Sequence, residues 1–190
     1  MKIRRTIPPT AAPLKISDLF CGVAGLINGK KYIEKFKREV RDYFNVKHIF
    51  LTSSGKASLA VILRALSSLS GRREVLIPAY TCYSVPSAII KAGLKVALCD
   101  IDPSTLDFDH KQLKSAVNDN TLCVITNHLF CVPSDTDAVN EICKKQGVFV
   151  IEDAAQAMGG DYKNRKLGTN GDAGFFSLGR GKNITKLRAQ

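Results

Sequence analysis

The chain has 190 residues, of which 45% are hydrophobic, so it can bury one sizeable core but cannot hold two complete domains of ordinary size. Lysine and arginine number 28 against 17 acidic residues, and the resulting formal charge of +11 favours anionic ligands such as phosphates or nucleotides. The basic residues are not interleaved with aromatic ones, and no helix-turn-helix or zinc-finger spacing occurs, so a DNA-binding regulator is a weak alternative. No apolar run approaches the length that spans a membrane.

The cysteines point to a reducing compartment. None of the six forms a CxxC pair or follows a metal-ligand spacing, and no metal site is predicted. Cys99, Cys123 and Cys143 lie in apolar runs, where a free cysteine behaves as a small hydrophobic residue. The basic N-terminus lacks the apolar stretch of a secretory signal, so a cytoplasmic protein is expected.

The first part of the chain is predicted to contain an arm, two helices and one short strand. Residues 1–29 are rich in proline, glycine and threonine and favour an extended arm with loops. Apolar residues at helical spacing predict an amphipathic helix over 30–44, whose basic side chains are most simply a solvated face. A short strand is predicted at His48–Thr52, and a helix with one apolar face follows over Lys56–Leu69.

Strands and helices alternate through the rest of the chain. Strands are predicted at Glu74–Ile77, Lys95–Cys99, Leu122–Thr126, Val148–Ile151 and Gly174–Ser177. Helices are predicted at Ser84–Ala92, Asp109–Val117 and Asp135–Lys145, with a turn at Asp100–Pro103.

This alternation predicts an α/β fold with three αβα layers. The strands are apolar throughout, which is typical of a mostly parallel central sheet covered by helices on both faces. Ligands of such sheets bind beyond the carboxyl ends of the strands. The candidate segments at predicted strand ends should therefore share one rim, and they are Thr52–Gly55, Pro78–Thr81, Asn127–His128, Asp153 and Ser177.

The turn from Ser53 to Ala57 is a candidate phosphate site because it links a strand to a helix. Free backbone N–H groups and the positive end of the helix dipole attract an anion, and Gly55 allows the backbone to approach it closely. The alternative is an ordinary helix N-cap formed by Ser54.

Three side chains near the end of the chain suit pyridoxal phosphate. Asp153 follows an apolar run, and a buried carboxylate can keep a pyridine nitrogen protonated. Lys182 lies in a glycine-flanked turn beyond Ser177, which provides an amine for an imine and a hydroxyl for a phosphate. The alternatives are a strand-end acid and a surface lysine. Glu152 should face away from Asp153 and is expected to have a structural role.

Together these segments resemble the DegT/StrS family of sugar aminotransferases, which have the aspartate-aminotransferase type I fold. The likeness covers the chain up to Lys182 and is specific because the motifs occur in order and at the family's spacings. The motifs are Arg5-Thr6-Ile7-Pro8-Pro9-Thr10, Ser54-Gly55-Lys56-Ala57-Ser58-Leu59, Ile77-Pro78-Ala79-Tyr80-Thr81, Asp100-Ile101-Asp102-Pro103, His128-Leu129-Phe130, Glu152-Asp153-Ala154-Ala155-Gln156-Ala157 and Phe176–Asn183.

The resemblance implies a pyridoxal 5'-phosphate enzyme and assigns its residues. Lys182 would form the imine with the cofactor and move the proton between the substrate carbon and the cofactor. Asp153 would pair with the pyridine nitrogen, and Gln156 would approach the phenolic oxygen. The phosphate would be held by Ser177 and by the turn that consists of Ser54, Gly55, Lys56 and Ala57, chiefly through the Lys56 and Ala57 amides.

The sequence departs from the family pattern at two positions. Many members have an aromatic residue that stacks on the cofactor where this chain has Cys82. Tyr83 is next in the chain, so the group that stacks on the ring is left open. The usual glycine after His-Leu-Phe is Cys131, which is expected to affect only a turn.

The family's reaction is transfer of an amino group, commonly from glutamate, to a keto group on a nucleotide-linked sugar, in polysaccharide or modified-sugar synthesis. The alternatives are a dehydratase of the same family, against which Lys182 argues because those relatives have histidine there, and a catalytically inactive remnant. Members act as homodimers and have a smaller C-terminal domain. The resemblance therefore implies that 30–190 is a truncated cofactor-binding large domain, with uncovered apolar edges and a tendency to form oligomers.

Overall fold

A computed structural model of the chain describes residues 16–179 and Lys182. The predicted Arg5–Thr10 motif and the residues that directly flank Lys182 lie outside this part of the chain.

The predicted alternation of helices and strands is found in the described residues. The helices are α1 (Ile16–Phe44), α2 (Gly55–Leu69), α3 (Ser84–Lys91), α4 (His110–Ala116) and α5 (Thr136–Lys144), and a 3₁₀ turn spans Leu129–Cys131. The strands are β1 (Glu74–Pro78), β2 (Lys95–Cys99), β3 (Ile101–Asp102), β4 (Asp107–Phe108), β5 (Thr121–Asn127), β6 (Phe149–Asp153), β7 (Asp161–Tyr162), β8 (Arg165–Lys166) and β9 (Ala173–Phe175).

Five strands form one parallel sheet in the order β2-β1-β5-β6-β9. Asn127 of β5 lies opposite Asp153 of β6, which lies opposite Phe175 of β9. The carboxyl ends of these three strands therefore meet at one rim, and whatever follows them in sequence is brought together.

Helices cover both faces of the sheet, which confirms the predicted αβα fold. All seven residues of β5 are buried, as expected for a central strand without a solvent-facing side. Leu59 and Leu63 of α2 pack in one core cluster with α3, and Val139 and Cys143 of α5 pack in a second cluster with α4. Successive side chains of a strand thus pack in different core clusters, one on each face of the sheet.

Three helices begin at side chains that cap their first amides. Ser54 caps α2, Asp109 accepts from two amides at the start of α4, and Asp135 accepts from the Ala138 amide at 3.3 Å to start α5. These caps satisfy N–H groups that have no partner inside the helix. The predicted starts of these three helices are confirmed to within a residue or two.

Buried cysteines are protonated core residues. Burial, aided by nearby carboxylates, raises the pKa of Cys99 to about 11, and it raises that of Cys143 to about 12 with help from Asp172. None of the six cysteines, all of which lie in the described residues, forms a disulfide. The cysteines in the apolar runs therefore pack as small hydrophobic groups, as their sequence setting predicted.

The N-terminal half of α1 differs from the expected arm. Residues 16–27 are helical, with a break in helical geometry at Asn28, so the extended conformation was wrong for them. Apolar side chains repeat there at helical spacing, and the glycines that suggested loops are tolerated within the helix. Further along α1, Val40 and Phe44 pack with Met158. The division into an arm and a large domain stays a prediction.

Two local predictions also need correction, and one further element was not predicted. The segment His48–Thr52 is not a strand: it has no ladder partner in the described residues, and Phe50 and Leu51 are 82% and 42% exposed. The predicted turn at Asp100–Pro103 contains β3, which pairs with β4 as an antiparallel hairpin. A second hairpin, β7–β8, was not predicted.

No helix in the described part of the chain is both long enough and apolar enough to cross a membrane. The same residues contain no cluster of three or more histidine, cysteine or acidic side chains that could bind a metal ion.

Candidate active site

The start of α2 lies directly against the segment that follows β9. A Cβ atom added to Gly55 would lie 3.3 Å from the Cβ of Ser177 and 3.3 Å from the carbonyl oxygen of Phe176. This close approach favours a glycine, because an added Cβ would force Ser177 or Phe176 to shift by a few tenths of an ångström. Two candidate phosphate-binding segments that are far apart in sequence are thus adjacent in the fold.

The donors available to an anion are Gly55, Lys56 and Ser177. Within the part of the chain that the structure describes, the Gly55 and Lys56 amides donate to no acceptor. The Ala57 amide, which was expected to hold the phosphate, instead donates to the Ser54 hydroxyl at 3.1 Å. The capping interpretation of this turn is therefore confirmed, and its role as an anion site stays a prediction.

Asp153 is the last residue of β6 and shares the sheet face of Ile151, on the side of α2 and α3. Burial raises the pKa of Asp153 above its ordinary value, although the Ala155 amide, which donates at 3.0 Å, and the charge of Lys182 act against this effect. Desolvation disfavours the charged carboxylate, and a cationic partner would compensate for it. The site thus suits a protonated ring nitrogen.

Lys182 comes shortly after Ser177, beyond the carboxyl end of β9, which lies beside β6 and Asp153. Its charge lowers the pKa of the Asp153 carboxyl group against the effect of burial, and its backbone amide donates to the Gly179 carbonyl at 3.3 Å. The start of α2 and Ser177 are adjacent, and Asp153 ends the strand next to β9. Their individual roles stay predictions.

Gln156 and Cys82 are placed less directly. The Gln156 side-chain oxygen accepts a hydrogen bond from the Phe130 amide at 3.0 Å, so part of this side chain holds the 3₁₀ turn. Its approach to a phenolic oxygen stays a prediction. The Cys82 side chain is exposed and its sulfur accepts from the Ser84 hydroxyl at 3.1 Å. Tyr83 is also exposed, and the group that would stack on the cofactor ring stays open.

The turn at Phe130 and Cys131 keeps a left-handed backbone without glycine. The two φ angles are 51° and 66°, a region that costs most residues energy. The Cys131 thiol donates to the Gln156 carbonyl at 2.8 Å, which holds the turn in place. The replacement of glycine by cysteine is thus accommodated locally.

A buried polar pair beneath the rim was not predicted. His128 and Glu152 are both fully or almost fully buried, and the His128 Nε2 lies 2.9 Å from a Glu152 oxygen. The Ser134 amide donates to His128 Nδ1 at 3.1 Å, so the ring proton is on Nε2 and is donated to Glu152. A buried acid inside an apolar strand requires hydrogen-bond donors, and this requirement was the sequence signal from which a partner of Glu152 could have been predicted.

Burial by itself raises the pKa of Glu152, but hydrogen bonds outweigh it. The donors are His128 and the amides of Gly168, Gly171 and Asn170, and together they lower the pKa of Glu152 below its ordinary value. The structural role expected for Glu152 agrees with these contacts.

The fold belongs to the class of three-layer αβα proteins with a parallel sheet, and a glycine-containing helix start, a buried acid and a lysine follow the carboxyl ends of its strands. Residues 23–187 match the model of the DegT/DnrJ/EryC1/StrS aminotransferase family, and the chain belongs to this family.

Curated relatives include an L-glutamine:2-deoxy-scyllo-inosose aminotransferase of Streptomyces kanamyceticus, 32% identical over 164 residues that cover 86% of this chain and 38% of the relative. A GDP-perosamine synthase of Vibrio cholerae is 29% identical over 166 residues, 87% of this chain and 45% of the relative. The chain thus spans less than half the length of these relatives.

Solved structures show the same fold. The sugar aminotransferase CalS13 from Micromonospora echinospora superposes with a TM-score of 0.83 at 22% identity, over 92% of this chain and 50% of that one. An E. coli GDP-4-keto-6-deoxy-D-mannose-3-dehydratase with bound hydrated PLP superposes with a TM-score of 0.77 at 24% identity, over 87% and 45% of the two chains.

Proposed function

We propose that the chain is the cofactor-binding part of a pyridoxal 5'-phosphate-dependent sugar aminotransferase. The observation that carries this proposal is the close approach of Gly55 to Ser177, next to the strand end that carries Asp153. Family membership supports it independently, since the matched family is one of aminotransferases.

The residues present fit this cofactor at both of its ends. At the start of α2, the Gly55 and Lys56 amides have no acceptor among the described residues, and the Ser177 hydroxyl would lie 3.7 Å from a Cβ added to Gly55, an arrangement of donors that suits a phosphate group. Asp153 is a buried acid whose raised pKa reflects incomplete compensation, which suits a pyridinium nitrogen.

Each protein group then has a definite task. When bound, pyridoxal phosphate supplies an electron sink for charge that develops on the substrate carbon. Lys182 would hold the cofactor through its amine, and its Nζ, once released by the incoming amino group of the donor, would take and return the proton of the substrate carbon. Asp153 would keep the ring nitrogen protonated, and Ser177 with the α2 amides would hold the phosphate and hence orient the ring.

The proposed substrates are an amino-acid donor and a keto group on a nucleotide-linked sugar, in polysaccharide or modified-sugar synthesis. The named relatives, an inosose aminotransferase and a perosamine synthase, support a carbohydrate-like acceptor. A dehydratase is the second candidate because dehydratase structures share this fold. The presence of lysine at position 182 favours the aminotransferase.

The decisive experiment for the cofactor is trapping with borohydride. The chain is incubated with pyridoxal phosphate and reduced, and the added mass is located by peptide mapping. Label at Lys182 that is lost in Lys182→Ala supports the proposal. Label scattered over surface lysines, or no label, would support a remnant that keeps the family sequence without its chemistry.

Turnover separates the two enzyme reactions. With glutamate and candidate keto-sugar nucleotides, an aminotransferase releases 2-oxoglutarate and an amino sugar, whereas a dehydratase releases a deoxy sugar. A remnant gives neither product.

We also propose a cytoplasmic protein that acts as a homodimer and has no nucleic-acid partner. Its free cysteines support a reducing compartment. The association state is tested by analytical ultracentrifugation: a dimer is expected, larger oligomers would reflect uncovered apolar surface, and a stable monomer would contradict both. Salt-dependent binding to duplex DNA would favour the regulator instead.

A further inference from the structure

The carboxylate of Glu152 is the centre of a buried hydrogen-bond network. One oxygen accepts from His128 Nε2 at 2.9 Å and from the Gly168 amide at 3.0 Å. The other accepts from the amides of Asn170 and Gly171, the latter at 2.8 Å. These donors tie the loop between β8 and β9 to the middle of the sheet.

The same loop supports the ring of Phe176. Gly168 has a φ of +87°, and a Cβ atom there would lie 2.4 Å from the Cζ of Phe176, so the ring rests on the bare glycine. On its other side the ring packs on Phe44, with 4.7 Å between ring centroids. Phe176 directly precedes Ser177, and its own carbonyl lies beside Gly55. A shift of the loop would therefore move the phosphate-binding hydroxyl.

A second branch of the network reaches Asp153. Glu152 and Asp153 are neighbours in β6 with side chains on opposite faces. The His128 ring is held between Glu152 and the Ser134 amide, and the His128 backbone N–H donates to the Asp153 carbonyl at 3.1 Å. A change in the orientation of His128 would therefore shift the end of β6, which carries Asp153.

We propose that Glu152 is a positioning residue for the cofactor site, which sets the place of Ser177 through the β8–β9 loop and Phe176, and that of Asp153 through His128. The inference rests on the proposed function. Glu152 is fully buried on the face of β6 opposite Asp153, so it is proposed to act through these neighbours.

Glutamine cannot replace Glu152 in this network, although it has the same size. All the donors that meet the carboxylate are N–H groups, and an amide offers them one oxygen and one NH₂ group. The glutamine NH₂ group would then face N–H groups that also donate, so neither group would have an acceptor. His128 cannot relieve the conflict by moving its proton, because its Nδ1 accepts from Ser134. The loop or the ring must therefore move.

The first test is hydrogen exchange on the cofactor-free chain, followed by a titration with pyridoxal phosphate. In Glu152→Gln, peptides spanning 168–171 and 176–179 are expected to exchange about tenfold faster than in the wild type. The dissociation constant of pyridoxal phosphate should rise roughly 10- to 100-fold, the range found when groups that orient binding residues are changed. Glu141→Gln is the matched control because it makes the same change at an exposed position of α5, and it should leave both measurements unaltered.

A second variant keeps the test decisive if Glu152→Gln does not fold. Phe176→Leu removes the ring that rests on Gly168 and leaves the Glu152 carboxylate intact. It should weaken pyridoxal phosphate to a similar extent while exchange in 168–171 stays at the wild-type rate. Wild-type affinity in Phe176→Leu overturns the inference.

Two outcomes separate this inference from the proposed function. If Glu152→Gln opens 168–171 but leaves both 176–179 and cofactor affinity unchanged, Glu152 is only structural and the inference fails alone. If the wild type takes no label at Lys182, the proposed function fails, and the exchange of 176–179 still decides whether Glu152 positions Ser177.

Discussion

Replacement of Gly55 by alanine should reduce cofactor affinity without damage to the fold. The added Cβ would lie 3.3 Å from the Ser177 Cβ and 3.7 Å from its hydroxyl oxygen, so Ser177 must move by a few tenths of an ångström. Alanine has fewer conformations than glycine in the unfolded chain, so it loses less entropy on folding. This difference contributes about 0.4–1 kcal/mol of stability, which offsets the cost of the tight contact.

The affinity change is set by the phosphate contact. A hydrogen bond to a charged group contributes about 1.5–3 kcal/mol, so its loss should raise the dissociation constant of pyridoxal phosphate roughly 10- to 150-fold. The titration follows the visible absorbance of the bound cofactor, and urea unfolding reports on stability.

Gly71→Ala is the matched control because no atom lies within 4 Å of its added Cβ. It should bind pyridoxal phosphate as the wild type does. Equal affinity for the wild type and Gly55→Ala would refute the assignment of the phosphate to the start of α2.

Three further variants test the acid, the core and the sheet edge. Burial raises the pKa of folded Asp153 above its unfolded value near 3.8, so the cofactor-free fold loses stability as the pH rises from that value through the raised pKa. In urea unfolding, Asp153→Asn should be more stable than the wild type at pH 8 and little changed below pH 3.8. An equal effect at both pH values would contradict the burial argument. Leu63→Ala removes a fully buried side chain of α2 and should lower the free energy of unfolding by about 2–5 kcal/mol, measured by urea denaturation, while Val61→Ala at an exposed position of the same helix should change it little. Gly174→Ala would place a Cβ 2.1 Å from the Gly168 carbonyl oxygen, a backbone clash that should abolish cooperative melting by circular dichroism; a wild-type melt would show that the β9 edge can yield.

The main features of the fold were predictable from sequence because they depend on local patterns. Apolar runs predicted the five sheet strands, helical spacing predicted the helices, and Ser54 was a candidate cap at the start of α2. The resemblance identified the segments that meet at the rim. The site residues at strand ends followed from the rule for parallel sheets.

The missed features depend on contacts that a sequence does not display. The hairpin β7–β8 has only two residues in each strand, and its turn uses left-handed Lys163 and Asn164 in place of glycine. The strand expected at His48–Thr52 has suitable residues, but strand structure also requires a hydrogen-bonded neighbour. The partners of Glu152 come from the separate segments around His128 and Gly168, so they became evident only in three dimensions.

The order of the strands has a consequence for biosynthesis. The strands of the sheet leave the ribosome in the order in which they occur in sequence, and β9 is the last of the five to emerge. The central strands can pair earlier, but Gly55 at the start of α2 can meet Phe176 and Ser177 only after these residues have been synthesised. A nascent chain that ends before Ser177 would therefore contain most of the sheet but only one of the two segments of the proposed phosphate site.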